Sequence, residues 1–135
     1  MSSKNRNRQI PLLFGNIPIR AINDALSLEL EDGQAVMSPN AQRHAQRRHP
    51  HDFARCFPHV ASVVTNPLYV RDDFGNDGKV ELVGRPPALG DFLLVAVEIV
   101  LDEDGRYNVV SFYPISEGKV AKRRDAGHLR RVRLL

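Results

Sequence analysis

Three of the five histidines fall within eight residues: His44, His49 and His51. Histidine titrates near neutrality, so a pair can supply one base and one acid. His44 and His49 are not at the i, i+4 spacing that puts two metal ligands on one helical face, and no glutamate follows His44. Asp52 is the carboxylate that would have to complete an improvised metal set, and no metal site is expected. A plainer reading competes with acid–base chemistry. The three histidines would be surface groups at the end of a polar helix, where positive charge is favoured, and spacing alone favours this reading.

Two other groups carry polar chemistry. Ser111 and Tyr113 flank Phe112 in a strand-like stretch, and alternation puts the two hydroxyls on one face. They are suited to a phosphate, although a solvent-facing stripe would look the same. Lys122, Arg123 and Arg124 follow shortly after, where arginine offers paired contacts to phosphate oxygens. Their bland reading is a solvated face. The chain has no serine-hydrolase elbow, phosphate-binding glycine loop or dinucleotide fingerprint. Cys56 is the single cysteine and sits among apolar residues at helical spacing, so core is expected rather than nucleophile. No disulfide can form within these residues.

The elements that must position these groups belong to a chain of 135 residues, 42% apolar and 26% charged, in the range of one globular domain. The longest apolar run, Phe92 to Val97, is six residues, far short of a membrane span. The charged start of the chain lacks the apolar stretch of a secretory signal, so a cytoplasmic protein is expected. Net charge is +3, but unevenly placed. Residues 41–55 sum to +3 and residues 119–135 to +6, around a middle, 66–117, of −6. Such segregation suits a polyanion such as nucleic acid.

Hydrophobic spacing predicts helices first and strands later. Arg20 to Leu30 reads as a short amphipathic helix, after an extended or turning segment from Ile10 to Ile19. Gln34 to Met37 reads as a short strand. Ser38-Pro39 reads as an N-cap with proline at the first helical position, opening a polar helix that ends near Arg48 because Pro50 disfavours helical angles at His49. A second helix carries Phe53, Cys56, Phe57, Val60, Val63 and Val64 on one face, with a kink or break at Pro58. Strands are expected at 68–70, 80–83, 92–101 and 107–113, the last two forming a hairpin around 102–105. Lys119 to Arg124 reads as a short helix or strand edge, and 128–135 as a tail or edge strand. The predicted class is α+β, with N-terminal helices packed on an antiparallel sheet of about four strands.

In this order the segments MSPNAQRHAQRRHP, VVTNPLYV, LLVAVEI, GRYNVVSFYPIS and KRR resemble the phage-associated branch of the barnase/EndoU/colicin/RelE-like nuclease superfamily. His44, His49 and Pro50 match its His-x-x-x-x-His-Pro helix. Pro67 and Tyr69 match its Pro-x-Tyr element, Ser111 and Tyr113 its second hairpin strand, and Lys122 and Arg123 its basic patch. The resemblance implies a barnase/RelE-like fold in residues 34–125, after a leader and short helix in 1–33 and before a basic tail in 126–135. It implies a metal-independent endoribonuclease without cofactor, acting as a toxin or phage component. His44, His49, Ser111 and Tyr113 would be catalytic, and Arg48, Tyr69, Lys122 and Arg123 would hold the substrate. RNA, tRNA included, and an immunity or antitoxin protein are the implied partners, with no membrane. The protein would act in the cytoplasm of its own or a target cell. A non-catalytic nucleic-acid-binding module and a phage structural or adaptor protein on the same fold remain as alternatives.

Overall fold

The computed structural model describes residues 10–72 and 78–134. Its centre is the apolar run, which forms strand β5 (Phe92–Glu98). Leu93, Val95 and Val97 enter one apolar cluster and Phe92, Leu94 and Ala96 another, so β5 is covered on both faces, as its unbroken hydrophobicity predicts. Around it lie β1 (Leu12–Asn16), β2 (Gln34–Met37), β3 (Tyr69–Asp72), β4 (Lys79–Gly84), β6 (Tyr107–Ile115) and β7 (Arg130–Arg131). The sheet order is β1-β2-β6-β5-β4-β3-β7, antiparallel except where β2 meets β6.

The sheet has seven strands, against the expected four or so. Three additions explain the difference. β1 forms in the segment read as merely extended, and pairs with β2 through a bulge between Leu13 and Gly15. Gly15 has φ +109°, and a Cβ there would meet Thr65 Cγ2 at 3.0 Å, so position 15 needs glycine on both counts. β2 joins the same sheet, and β7 adds two residues to the β3 edge. The β5–β6 hairpin is also wider than predicted, because β5 ends at Glu98. Beyond it Ile99 N–H donates to Gly78 O, while the Asp102 carboxylate accepts from the backbone N–H groups of Asp104 and Arg106 and organises its own loop.

One face of the sheet carries α1 (Ile19–Leu26), α3 (Pro50–Cys56) and α4 (Val60–Thr65), whose Ile22, Cys56, Val60, Val63 and Val64 pack with Leu82, Leu93, Val95 and Phe112. Each such buried side chain contributes about 1.5–3 kcal/mol. α1 is shorter than its hydrophobic pattern suggests. Ser27 takes a left-handed conformation (φ 57°), Leu28 N–H bonds Asn23 O, and the Asn23 side chain exchanges two hydrogen bonds with Leu30. The opposite face carries α5 (Glu117–Asp125), whose Val120 packs with Tyr69, Val83, Leu94 and Ile115. The helices are therefore not confined to the N-terminal half.

Candidate active site

Helix α2 (Pro39–Arg48) begins as its cap predicts: Ser38 Oγ accepts from Ala41 N–H at 3.2 Å, with Pro39 in the first turn. The helix is polar, and its one buried residue is Gln42, whose side-chain amide donates to Ile10 O and Met37 O, both at 2.9 Å. These bonds tie α2 to the segment entering β1 and to the end of β2. His49 closes α2 through its N–H to Ala45 O (3.0 Å), then leaves helical angles (φ −140°, ψ 65°) ahead of Pro50. Its own carbonyl accepts from Phe53 N–H at 2.8 Å, so His49 is the joint between α2 and α3.

The position of this joint follows from the sheet. β2 pairs with β6 only at Ala35–Tyr107 and Val36–Asn108, which leaves the rest of that β6 edge to α2 and α3. Phe53 fastens α3 there, 5.5 Å from the Phe112 ring and stacked at 4.9 Å on Phe57. β6 is itself bulged: Val97 pairs with Val109 but Ala96 with Ser111, leaving Val110 as the extra residue. Val109 and Phe112 therefore both enter the core under the helices, while Ser111 and Tyr113 share the other face. Between the helices and this strand lies an open cleft of about 370 Å³, with His44, Arg48, His49 and Asp52 on one wall and residues 110–113 on the other.

A second polar group adjoins the Ser111–Tyr113 face. Strand register sets Arg71, Glu81, Ala96 and Ser111 in one row, and Tyr69, Val83, Leu94 and Tyr113 in the next. Arg71 and Glu81 form an ion pair at 3.0 Å, with Glu81 only 8% exposed. Burial pushes the Tyr113 phenol above its ordinary pKa, helped by the Glu81 charge and opposed by Arg123 and Arg71. Arg123 on α5 thus reaches the Tyr113 side of the cleft. Its Nη1 is buried and finds no hydrogen-bond partner among the described residues. Arg124 Nη1 donates to the Tyr69 hydroxyl at 3.4 Å, and that bond is the main cause pulling the Tyr69 phenol down.

The fold thus brings His44, His49, Arg48, Ser111 and Tyr113 to one cleft, with Arg123 beside Tyr113. Tyr69 and Lys122 do not line it. Tyr69 is 8% exposed and bonded to Arg124; Lys122 is exposed on α5. Asp52, Glu81 and Arg71 emerge as neighbours of the predicted set. Only Asp52, three residues past the joint, had a local signal; Glu81 and Arg71 are placed by strand pairing. Arg55, counted in the basic block, is engaged with Asp91 (3.2 Å) and Leu89 O. Cys56 is fully buried, and burial pushes its thiol up, as expected of a core cysteine. Among the described residues no group of three His, Cys, Asp or Glu side chains is placed to hold a metal ion. Among them, too, no helix is long and apolar enough to cross a membrane.

The family described as phage-Barnase-EndoU-ColicinE5/D-RelE like nuclease 3 has a model that matches residues 14–122. The chain belongs to this family. Membership points to nuclease activity, that is, to a hydrolase of the phage-associated nuclease group. The span shared with phage-Barnase-EndoU-ColicinE5/D-RelE like nuclease 3 runs from Phe14 in β1 to Lys122 in α5, taking in both cleft walls. No curated protein matches the chain, and no solved structure does.

Proposed function

We propose that the cleft is the active site of an endoribonuclease that works without metal or cofactor. RNA carries its own nucleophile, the 2′-hydroxyl beside each phosphodiester. One of His44 and His49 takes the 2′-hydroxyl proton as that oxygen bonds to phosphorus. The other protonates the departing 5′-oxygen, leaving a 2′,3′-cyclic phosphate and a 5′-hydroxyl. Arg48 and Arg123 hold the nonbridging oxygens, and the Ser111 and Tyr113 hydroxyls donate to the extra negative charge of the transition state. Lys122 adds positive charge near the path of the strand, and Tyr69 holds Arg124. The observation that carries this reading is that two histidines distant in sequence from Ser111 and Tyr113 line one cleft with them.

The test is incubation of the purified protein with RNA in EDTA, with DNA of the same sequence and RNA bearing a single 2′-deoxy position as controls. Cleavage of RNA, silence at the 2′-deoxy position and a cyclic phosphate end are expected. Cleavage of DNA, or of RNA at the deoxy position, overturns the mechanism. One observation favours a second reading, nucleic-acid binding without turnover: no described residue hydrogen-bonds to the His44 or His49 side chain, so neither ring is held in place before substrate arrives. Wild-type protein that binds RNA and leaves it intact selects that reading.

A further inference from the structure

The second of the two cross-sheet rows continues past the cleft. Tyr113 on β6 is followed by Leu94, Val83 and Tyr69, and Tyr69 pairs with Arg131 on β7. The Arg131 guanidinium lies over the Tyr69 ring, 5.8 Å from its centre, while the Tyr69 hydroxyl accepts from Arg124. Helix α5 crosses this row, with Val120 packed onto it. Its last turn presents Arg123 toward Tyr113 and Arg124 toward Tyr69. Arginines therefore run from the cleft, over the end of α5, to the β7 edge of the sheet.

At that edge the basic character increases. Arg130, Arg131 and Arg133 are exposed and make no ion pair among the described residues. Arg124 does approach Asp125, at 3.5 Å. The three arginines line a shallow trough where β7 meets α1, with Ala21 and Ala25 as small wall residues. Asp24 and Asp72 are the acidic residues bordering it among the described residues. A trough with small walls and guanidinium groups free of ion pairs among the described residues admits a phosphodiester backbone and neutralises it. An edge strand also leaves backbone N–H groups unpaired on its outer side.

We infer that Arg130, Arg131 and Arg133 form a second phosphate-binding surface, which holds the RNA strand leaving the cleft by way of Arg124. The inference rests on RNA being the substrate of that cleft. Four strand spacings separate Tyr113 from Arg131, about 19 Å. That length corresponds to at most about six phosphates at duplex spacing, and fewer on an extended single strand. The surface raises affinity for long RNA and leaves the chemical step untouched. RNA is favoured over an acidic protein because the basic path is continuous with the cleft.

The experiment compares the full-length wild type with R130Q/R133Q, which spares Arg131 against Tyr69. The probes are 2′-O-methyl RNAs of about 3 and about 20 nucleotides, which cannot cleave themselves, and polyglutamate; binding is read by fluorescence anisotropy across salt concentrations. The variant should bind the long RNA roughly 10-fold more weakly, with a salt slope shallower by about 1.4, and bind the short RNA as wild type does. On cleavable RNA, its KM should rise for the long substrate while the rate on a dinucleotide stays the same. Equal affinity and slope for the long RNA overturn the inference. So does loss of polyglutamate binding with RNA binding unchanged, which would assign the surface to an acidic protein. If the length effect disappears in the variant but wild type cleaves no RNA, the second surface stands and the ribonuclease reading falls.

Discussion

Phe53 and Phe112 pack with their ring centres 5.5 Å apart, and this contact joins the helix after His49 to the strand that carries Ser111 and Tyr113. Phe57 adds a second ring contact to Phe112 at 6.3 Å, while α2, which buries only Gln42, adds little apolar surface. Phe53→Ala should therefore act on stability and geometry together. Phe53 is partly buried, so the expected loss is about 2–3 kcal/mol, below the range for a fully buried phenylalanine. Cleavage should fall further than the unfolded fraction explains. Chemical denaturation alongside RNA cleavage at a temperature where the variant is fully folded checks this; unchanged specific activity counts against the contact as the spacer of the cleft.

His44 and His49 are exposed, so replacing either should leave folding almost intact. His44→Ala and His49→Ala should each lower RNA cleavage roughly 100-fold or more, the scale of a lost general acid or base. Activity should persist in chelator. The wild-type rate should rise and then fall with pH, and each variant should lose one limb. Both variants retaining wild-type rates would place the chemistry elsewhere.

Ser111→Ala should cost less than either histidine, about 2 kcal/mol in the barrier if its hydroxyl donates to the charged phosphate. Tyr113→Phe keeps the ring and removes the donor. Because burial and Glu81 hold the Tyr113 phenol up, it keeps its proton through neutral and mildly alkaline pH. The deficit of Tyr113→Phe should therefore be constant across that range. A deficit that disappears on mild alkalinisation would show that the tyrosine is not acting as a donor.

Tyr107 gives a pH prediction for stability. Burial, then the Glu31 charge, pushes its phenol above the ordinary value of 10.0, and its hydroxyl donates to Glu31 O. The folded state thus holds this proton more tightly than the unfolded chain. The resulting stability is complete below the ordinary pKa and is lost as pH climbs through the raised one. Tyr107→Phe should be less stable than wild type at neutral pH by about 1 kcal/mol, the net worth of one hydrogen bond. That gap should narrow as pH rises past about 10. Urea midpoints of the two proteins across alkaline pH measure it, and taking their difference removes the contrary contribution of Tyr69, whose phenol is displaced downward.

Much of the local structure could be read from neighbouring residues because its causes are local. Ser38 and Pro39 start α2, Pro50 ends it at His49, and Pro58 splits the following helix into α3, a 3-10 turn and α4. The unbroken apolar run at Phe92 to Val97 marked a strand buried on both faces, and the order of the motifs already resembled the family to which the chain belongs. His44, His49, Arg48, Ser111 and Tyr113, which line the cleft, were all legible as polar residues suited to acid–base or phosphate chemistry.

What unites those residues lies in pairings between distant segments. Nothing within residues 107–115 shows that β2 stops after two pairs with β6 and leaves an edge for the histidine helix, since that depends on where a strand more than seventy residues earlier ends. The Val110 bulge carries no glycine to announce it; it appears only in the register with Ala96 and Val97. β1 and β7 are too short or too interrupted for a periodic signal, so the sheet read as about four strands grew to seven. The partners of Tyr113 are set the same way: Glu81 arrives through β4 and Arg123 through α5, on a face the sequence left unassigned. Side-chain type and local backbone preference are properties of neighbours in the chain, whereas a shared cleft is decided by register and edge exposure, which only the assembled sheet supplies.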